Sequence, residues 1–175
     1  MSSIATDHPF SVPRYPSGER PQAATDFLLV TQTSGREAFT ALSRAFGHTP
    51  SSHLALTDFT DMAALQQVLG ERLATAHVGL RLELRGDQAF VWPLHAQARS
   101  AGLQEDEIVV SSSDEGSRLV FCVHCANCQP AGPAAHLTCA HCNVVLEVRR
   151  HFSQRLGAYL GVCADADQPY REAHP

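Results

Sequence analysis

Six cysteines, all lying between Cys122 and Cys163, constrain this 175-residue chain more than any other feature, because the first 121 residues contain none. The polar opening MSSIATDHPF has no secretion-type apolar core, and no apolar run approaches the roughly 18 residues that span a bilayer. The expected compartment is therefore the cytoplasm, with no membrane partner. Thiols stay reduced there, so a cysteine cluster points to metal before disulfide.

The cluster reads Phe121-Cys-Val-His-Cys-Ala-Asn-Cys128, then a turn-rich interval around Pro130, Gly132 and Pro133, then Thr138-Cys-Ala-His-Cys142. Two C-x2-C pairs at this separation supply the four thiolates of a structural zinc site, each pair folding as a tight knuckle. The flanking runs 118–121 and 144–148 are β-branched or aromatic, as the strands of a zinc ribbon are. Five cysteines compete for four places. The interval to Cys139 is 13 residues from Cys125 or 10 from Cys128, and spacing alone leaves both open. Cys122 with Cys125 is favoured because Cys122 directly follows the apolar strand. His124, His136 and His141 are read as surface histidines, and Cys163 as a buried free thiol. Four thiolates also suit iron, as in a rubredoxin-like electron carrier. With zinc the site is closed, with no open coordination position, and its role is structural.

The chain is 44% hydrophobic with a net charge of −5 and a pI near 6.0. That balance fits a globular protein and opposes nucleic-acid binding, which usually shows as a strongly basic domain or stripe. All 13 basic residues are arginine, which excludes a P-loop lysine or a lysine Schiff base.

Upstream of the cysteines the pattern is α/β. Residues 1–25 carry four prolines and no periodicity, and read as an extended lead-in. Asp26–Thr31 is a short apolar run suited to a strand buried on both faces. Ser34 and Glu37 form a capping box ahead of a helix bearing Ala38, Phe39, Leu42 and Phe46, which Gly47 closes. His53–Thr57 predicts a second strand, followed by a helix behind Thr60 or Asp61 with Met62, Leu65, Leu69 and Leu73 as its buried stripe. Gly79–Leu84 predicts a third strand. A helix then opens at Gly86-Asp87 and runs to Ala101, with Pro93 expected to make its first turn irregular. Glu107–Ser111 predicts the fourth strand. Alternating strands and helices imply a parallel sheet with right-handed crossovers over 26–111. The polar stretch 111–117 is the expected linker, with a zinc ribbon over 117–149 and a tail over 150–175.

Two resemblances follow. The stretch GDQAFVWPLHAQARSAGLQEDEIVV, Gly86 to Val110, resembles the end of the nicotinamide-dinucleotide domain of ferredoxin and flavodoxin reductases, which implies a reductase-like, Rossmann-type fold. Arg85 and Asp87 stand where that family has the cysteine and proline of its Cys-Gly-Pro turn. Of the three glycines in its phosphate loop only Gly35 remains, and those glycines let the backbone approach a pyrophosphate. Cofactor-binding residues are accordingly expected to be absent.

The run from Cys122 to Val162, ending LEVRRHFSQRLGAYLGV, is similar to a small subunit family of bacterial dimethylamine monooxygenase. Departures from that family's pattern are Gln154 in place of an arginine and Arg150 in place of an acidic residue. This resemblance implies Cys122, Cys125, Cys139 and Cys142 as the metal ligands. It also implies a complex that demethylates dimethylamine to methylamine and formaldehyde with O2 and NADPH. Heme, flavin (FMN) and an iron–sulfur cluster would then belong to companion catalytic and reductase subunits. No C-x-x-C-H or ferredoxin spacing occurs in this chain.

Arg149, Arg150, His151 and Arg155 beside Phe152, Leu156 and Tyr159 have the composition either of an interface anchor or of an amphipathic segment that packs Phe152, Leu156 and Tyr159 back onto the α/β domain with its arginines solvated. The resulting expectation is an accessory subunit, itself not catalytic, that docks through ribbon and tail. The rival classes are a free zinc-ribbon binding module, regulatory or nucleic-acid binding, and a rubredoxin-like carrier.

Overall fold

The computed structural model describes residues 12, 13, 15, 24–113 and 116–169. The expected lead-in falls almost wholly outside them. The described residues fall into two compact units, one within 15–116 and one from Ser117 onward that also takes in Val12 and Pro13.

The first unit is a four-stranded parallel sheet of β1 (Asp26–Thr31), β2 (Ser51–Ala55), β3 (Leu80–Asp87) and β4 (Ile108–Ser113), in the order β2-β1-β3-β4. Helices α1 (Arg36–Phe46), α2 (Met62–Ala74) and α3 (Gln88–Ser100) connect consecutive strands. β1 is buried from Phe27 to Thr31, as an apolar run without alternation requires. Phe27 and Leu29 pack against Leu42, Ala38, Phe39 and Phe46 of α1, and strand alternation turns Leu28 and Val30 to the opposite face. Leu65, Leu69 and Leu73 are the buried stripe of α2. The Gln97 amide donates to the Gln66 carbonyl at 2.7 Å and ties α3 to α2.

Local details differ from the sequence expectation. The Ser34–Glu37 capping box does not form: α1 starts after Gly35, which is left-handed (φ 52°) and gives no side-chain cap. A Cβ on Gly35 would lie 2.7 Å from the Thr31 side chain, so the chain turns too tightly there for a serine-capped entry. β2 begins two residues earlier than His53 because its register is set by pairing Phe27 with Ser51. α3 runs unbroken through Pro93, and Asp87 caps it by accepting from the Phe90 N–H at 2.9 Å. Ser111–Ser113, expected as linker, extend β4, because β3 itself reaches Asp87 and offers Arg85, Gly86 and Asp87 as pairing partners.

The second unit is a five-stranded sheet of β5 (Arg118–Cys122), β6 (Cys128–Ala131), β7 (His136–Thr138), β8 (Val145–Ser153) and β9 (Ala158–Cys163), in the order β6-β5-β9-β8-β7. The ribbon is thus more than a hairpin. Residues 150–163, assigned from sequence to a separate tail, are strands of the same sheet: β9 lies between β5, which it joins in parallel, and β8, which it joins antiparallel. Its central place demands a narrow residue at Gly161, where a Cβ would lie 2.8 Å from Val120 and 3.0 Å from Leu146. The core is Val120, Cys122, Cys139, Val144 and Leu146.

The sheet curls so that a side chain links its two edges. The amide of Gln129, on β6, donates to the Thr138 carbonyl at 3.2 Å and accepts from the Ala140 N–H at 2.7 Å. It thereby imitates a backbone peptide of the missing neighbour strand. Arg118 donates to the carbonyls of Gly132, Pro133 and Ala134 and stacks over the Tyr159 ring at 5.0 Å, which pins the β6–β7 connection.

Candidate metal centre

Each C-x2-C pair sits at the end of a strand that turns back on itself, and the two turns share one hydrogen-bond pattern. In the first, Ala126 N–H donates to the Cys122 carbonyl and Cys122 N–H to the Asn127 carbonyl, both at 2.9 Å. In the second, Asn143 N–H donates to Cys139 and Cys139 N–H to Val144, again both at 2.9 Å. The fourth residue after the leading cysteine is left-handed in both, Ala126 at φ 59° and Asn143 at φ 58°. These are the only non-glycine residues of positive φ among the described residues. Asparagine tolerates that conformation, whereas alanine adopts it at a cost of about 1–2 kcal/mol.

Facing each other, the knuckles bring the sulfurs of Cys122, Cys125, Cys139 and Cys142 within 4.8 Å of one another. Cys122 Sγ lies 3.8 Å from Cys142 Sγ, and Cys125 Sγ 3.7 Å from Cys139 Sγ. Four sulfurs about 2.3 Å from a tetrahedral zinc ion stand about 3.8 Å apart. The donor set suits a tetrahedral thiophilic ion, and two of the sulfur pairs already stand at that spacing. No disulfide joins any of the six cysteines.

The four thiols are not equivalent. Cys122 and Cys139 are buried, Cys125 and Cys142 half-buried. Burial pushes the Cys122 thiol up to about 12. The Asn127 side-chain amide, 3.6 Å from Cys125 Sγ, and then the Asn127 backbone N–H draw the Cys125 thiol down to about 6. One sulfur is thus prepared as a thiolate by the protein. At Cys122 a bound cation would displace the proton that burial favours.

The other sequence candidates lie outside this cluster. Cys128 is exposed at the start of β6, opposite Phe121. Cys163 donates to the Asp165 carbonyl at 3.2 Å and is half-buried rather than buried. His124, His136 and His141 are exposed. Asn127, Gln129 and Arg118, which support the knuckles and the loop between them, carried no signal in the spacing: Gln129 and Arg118 reach backbone atoms that only the folded sheet brings near, and Asn127 meets the Cys125 carbonyl and sulfur only once the knuckle has turned.

The parallel sheet has its own crevice, about 500 Å3, at the C-terminal ends of β1 and β3, where strand order reverses and ligands of such sheets usually bind. Gln32 and Asp87 reach across it, with Asp87 N–H donating to Gln32 Oε1 at 2.8 Å and Gln32 Nε2 to Asp87 Oδ2 at 3.1 Å. Asp87 also takes the Phe90 N–H at the start of α3, and Arg85 is bound to Glu83 at 2.5 Å. A carboxylate thus occupies the helix start, and the nearby guanidinium is already paired.

Comparison with known proteins adds two findings. Residues 119–162 match the family described as dimethylamine monooxygenase subunit DmmA-like, C-terminal domain. Over all 175 residues, and all of the relative, the chain is 67% identical to the heme-dependent oxidative N-demethylase delta subunit of Ectopseudomonas mendocina (strain ymp). No solved structure matches.

Proposed function

The chain belongs to the family of the heme-dependent oxidative N-demethylase delta subunit, and from that premise we propose that it is the accessory subunit of a multicomponent demethylase acting on dimethylamine. The observation that carries this reading is the end-to-end identity of 67% with a protein named as the delta subunit of a heme-dependent oxidative N-demethylase. The family match over 119–162 supports dimethylamine as the substrate class.

In this reading Cys122, Cys125, Cys139 and Cys142 hold a zinc ion. With four thiolates it supplies no redox step and no open Lewis-acid position, only cross-linking of the two knuckles. The chain's own work is mechanical: the knuckles fix β5, β7 and the start of β8, and the sheet presents an arginine-rich surface to companion subunits. Heme, FMN, the iron–sulfur cluster and NADPH are assigned to the catalytic and reductase partners in a cytoplasmic hetero-oligomer.

Coexpression of the tagged chain with its genomic neighbours tests this. The expected result is a colourless tagged chain with one zinc per polypeptide that brings down the coloured subunits, and a complex whose dimethylamine-dependent NADPH consumption falls when the chain is omitted. Emergence of the tagged chain alone would refute the subunit assignment, and visible thiolate-to-iron bands in the isolated chain would replace zinc with a rubredoxin-like centre.

A further inference from the structure

The ladder between β8 and β9 breaks at one place. Val148 pairs with Gly161 and Phe152 with Tyr159, so Arg149, Arg150 and His151 stand opposite the single residue Leu160. All three are exposed, as is Arg155 in the turn that follows. β7 pairs only with Val145, Leu146 and Glu147, so the bulged part of β8 has no strand on that side among the described residues. A bulge of this size gives up ladder hydrogen bonds, and a single charge would be enough to protect a sheet edge. Here the lost bonds instead display three cationic or titratable side chains together.

Charge partners sharpen the contrast. In the parallel-sheet unit Arg81, Arg85 and Arg99 each face a carboxylate of their own unit. On the bulge Arg149 has Glu147 at 2.9 Å, while Arg150 and Arg155 have no carboxylate within the described residues. From 117 to 163 the sequence holds four arginines and one carboxylate, within a chain whose net charge is −5. Arginine's planar fork binds carboxylates in a bidentate manner that an ammonium cannot reproduce.

We infer that the bulge Arg149-Arg150-His151 together with Arg155 is the docking surface for a carboxylate-rich face of a companion subunit of the demethylase. The inference rests on the accessory-subunit reading and names the chemistry of the contact. Nucleic acid fits less well, because the neighbouring rings are not free to stack on bases: Phe152 is 1% exposed and Tyr159 lies under Arg118. Charge complementarity of this kind acts mainly on the rate of encounter, by factors of roughly ten to a thousand.

The test measures association of the full-length chain with the remaining purified subunits at low and high salt, for the wild type, R150Q/R155Q and R150E/R155E. Expected is wild-type binding whose association rate falls steeply with salt. The charge-reversed variant should lose about tenfold or more at low salt, the neutral variant an intermediate amount, with zinc content and melting unchanged in both. If the reversal disturbs folding, the neutral variant carries the comparison. Reversed and neutral variants that associate like the wild type, with the same salt slope, overturn this surface while leaving the subunit assignment standing. A wild type that does not bind overturns both. Nuclease-sensitive RNA retained by the wild type and lost by R150E/R155E reassigns the patch to phosphate and overturns the inference.

Discussion

The parallel-sheet unit and the ribbon unit are held together by different means. The first buries Leu28, Leu29, Leu65, Leu69, Leu82, Leu84, Trp92 and Leu94 almost completely. The second buries fewer, chiefly Val120, Val144, Val145, Leu146, Phe152 and Ala158, and its core cluster is completed by Cys122 and Cys139. Each buried aliphatic stabilises by roughly 1.5–3 kcal/mol, whereas ordering a residue costs roughly 1–2 kcal/mol of backbone entropy. A sheet of nine-residue and shorter strands with this smaller buried set gains less from solvent exclusion than the first unit and has more to gain from another source of free energy. A metal ion held by the two knuckles would supply it, and on the proposed reading the same chain uses solvent exclusion in one half and coordination in the other.

The largest effect expected from that contrast is metal removal. Chelation, or Cys139→Ser, should withdraw on the order of 10 kcal/mol of folding free energy from the ribbon. Hydrogen exchange should then show amides of β5 to β9 losing protection while β1 to β4 keep theirs. Ribbon amides that stay protected after complete demetallation would break the comparison. Next in size is the reciprocal experiment. Leu82→Ala, at a position 0% exposed in β3, should destabilise the parallel sheet by roughly 2–5 kcal/mol, read as a lowered denaturation midpoint, with zinc content unchanged. The smallest effect sharpens the picture inside the ribbon, where the two knuckles differ at their left-handed residue. Ala126→Gly should stabilise by about 0.5–1 kcal/mol, the relief of backbone strain being partly offset by the freedom glycine gains in the unfolded chain. The corresponding Asn143→Gly should be nearly neutral. A chelator titration followed by zinc release measures both.

How far each part was legible follows from the range of the interactions involved. β1 was readable to the residue because a run buried on both faces carries its signal in six consecutive side chains. The start of α3 was readable because Asp87 caps an amide three residues away. The start of α1 was not, since the conflict between Gly35 and Thr31 depends on how sharply the chain leaves β1. Strands β8 and β9 were missed beyond Val148 because the bulge breaks the alternation that marks a strand. Phe152, Leu156 and Tyr159 then look like one exposed anchor, although Phe152 is buried and meets Tyr159 edge to face as its strand partner. In the candidate metal centre, the four thiols that cluster were nameable from paired spacing joined to the family resemblance, while spacing alone left Cys122 and Cys128 in competition.

By itself the sequence determined that cysteines would pair in two knuckles, that a parallel α/β unit would precede them, and that no lysine chemistry was available, because each of these depends on residue identity and short spacing. Only the tertiary structure decided that Cys128 stands outside the cluster, that Gln129 substitutes for a strand, and that Arg149, Arg150 and His151 bulge outward together. Those outcomes depend on which backbone groups meet across a curled sheet, and pairs so distant in sequence leave no periodic trace along the chain.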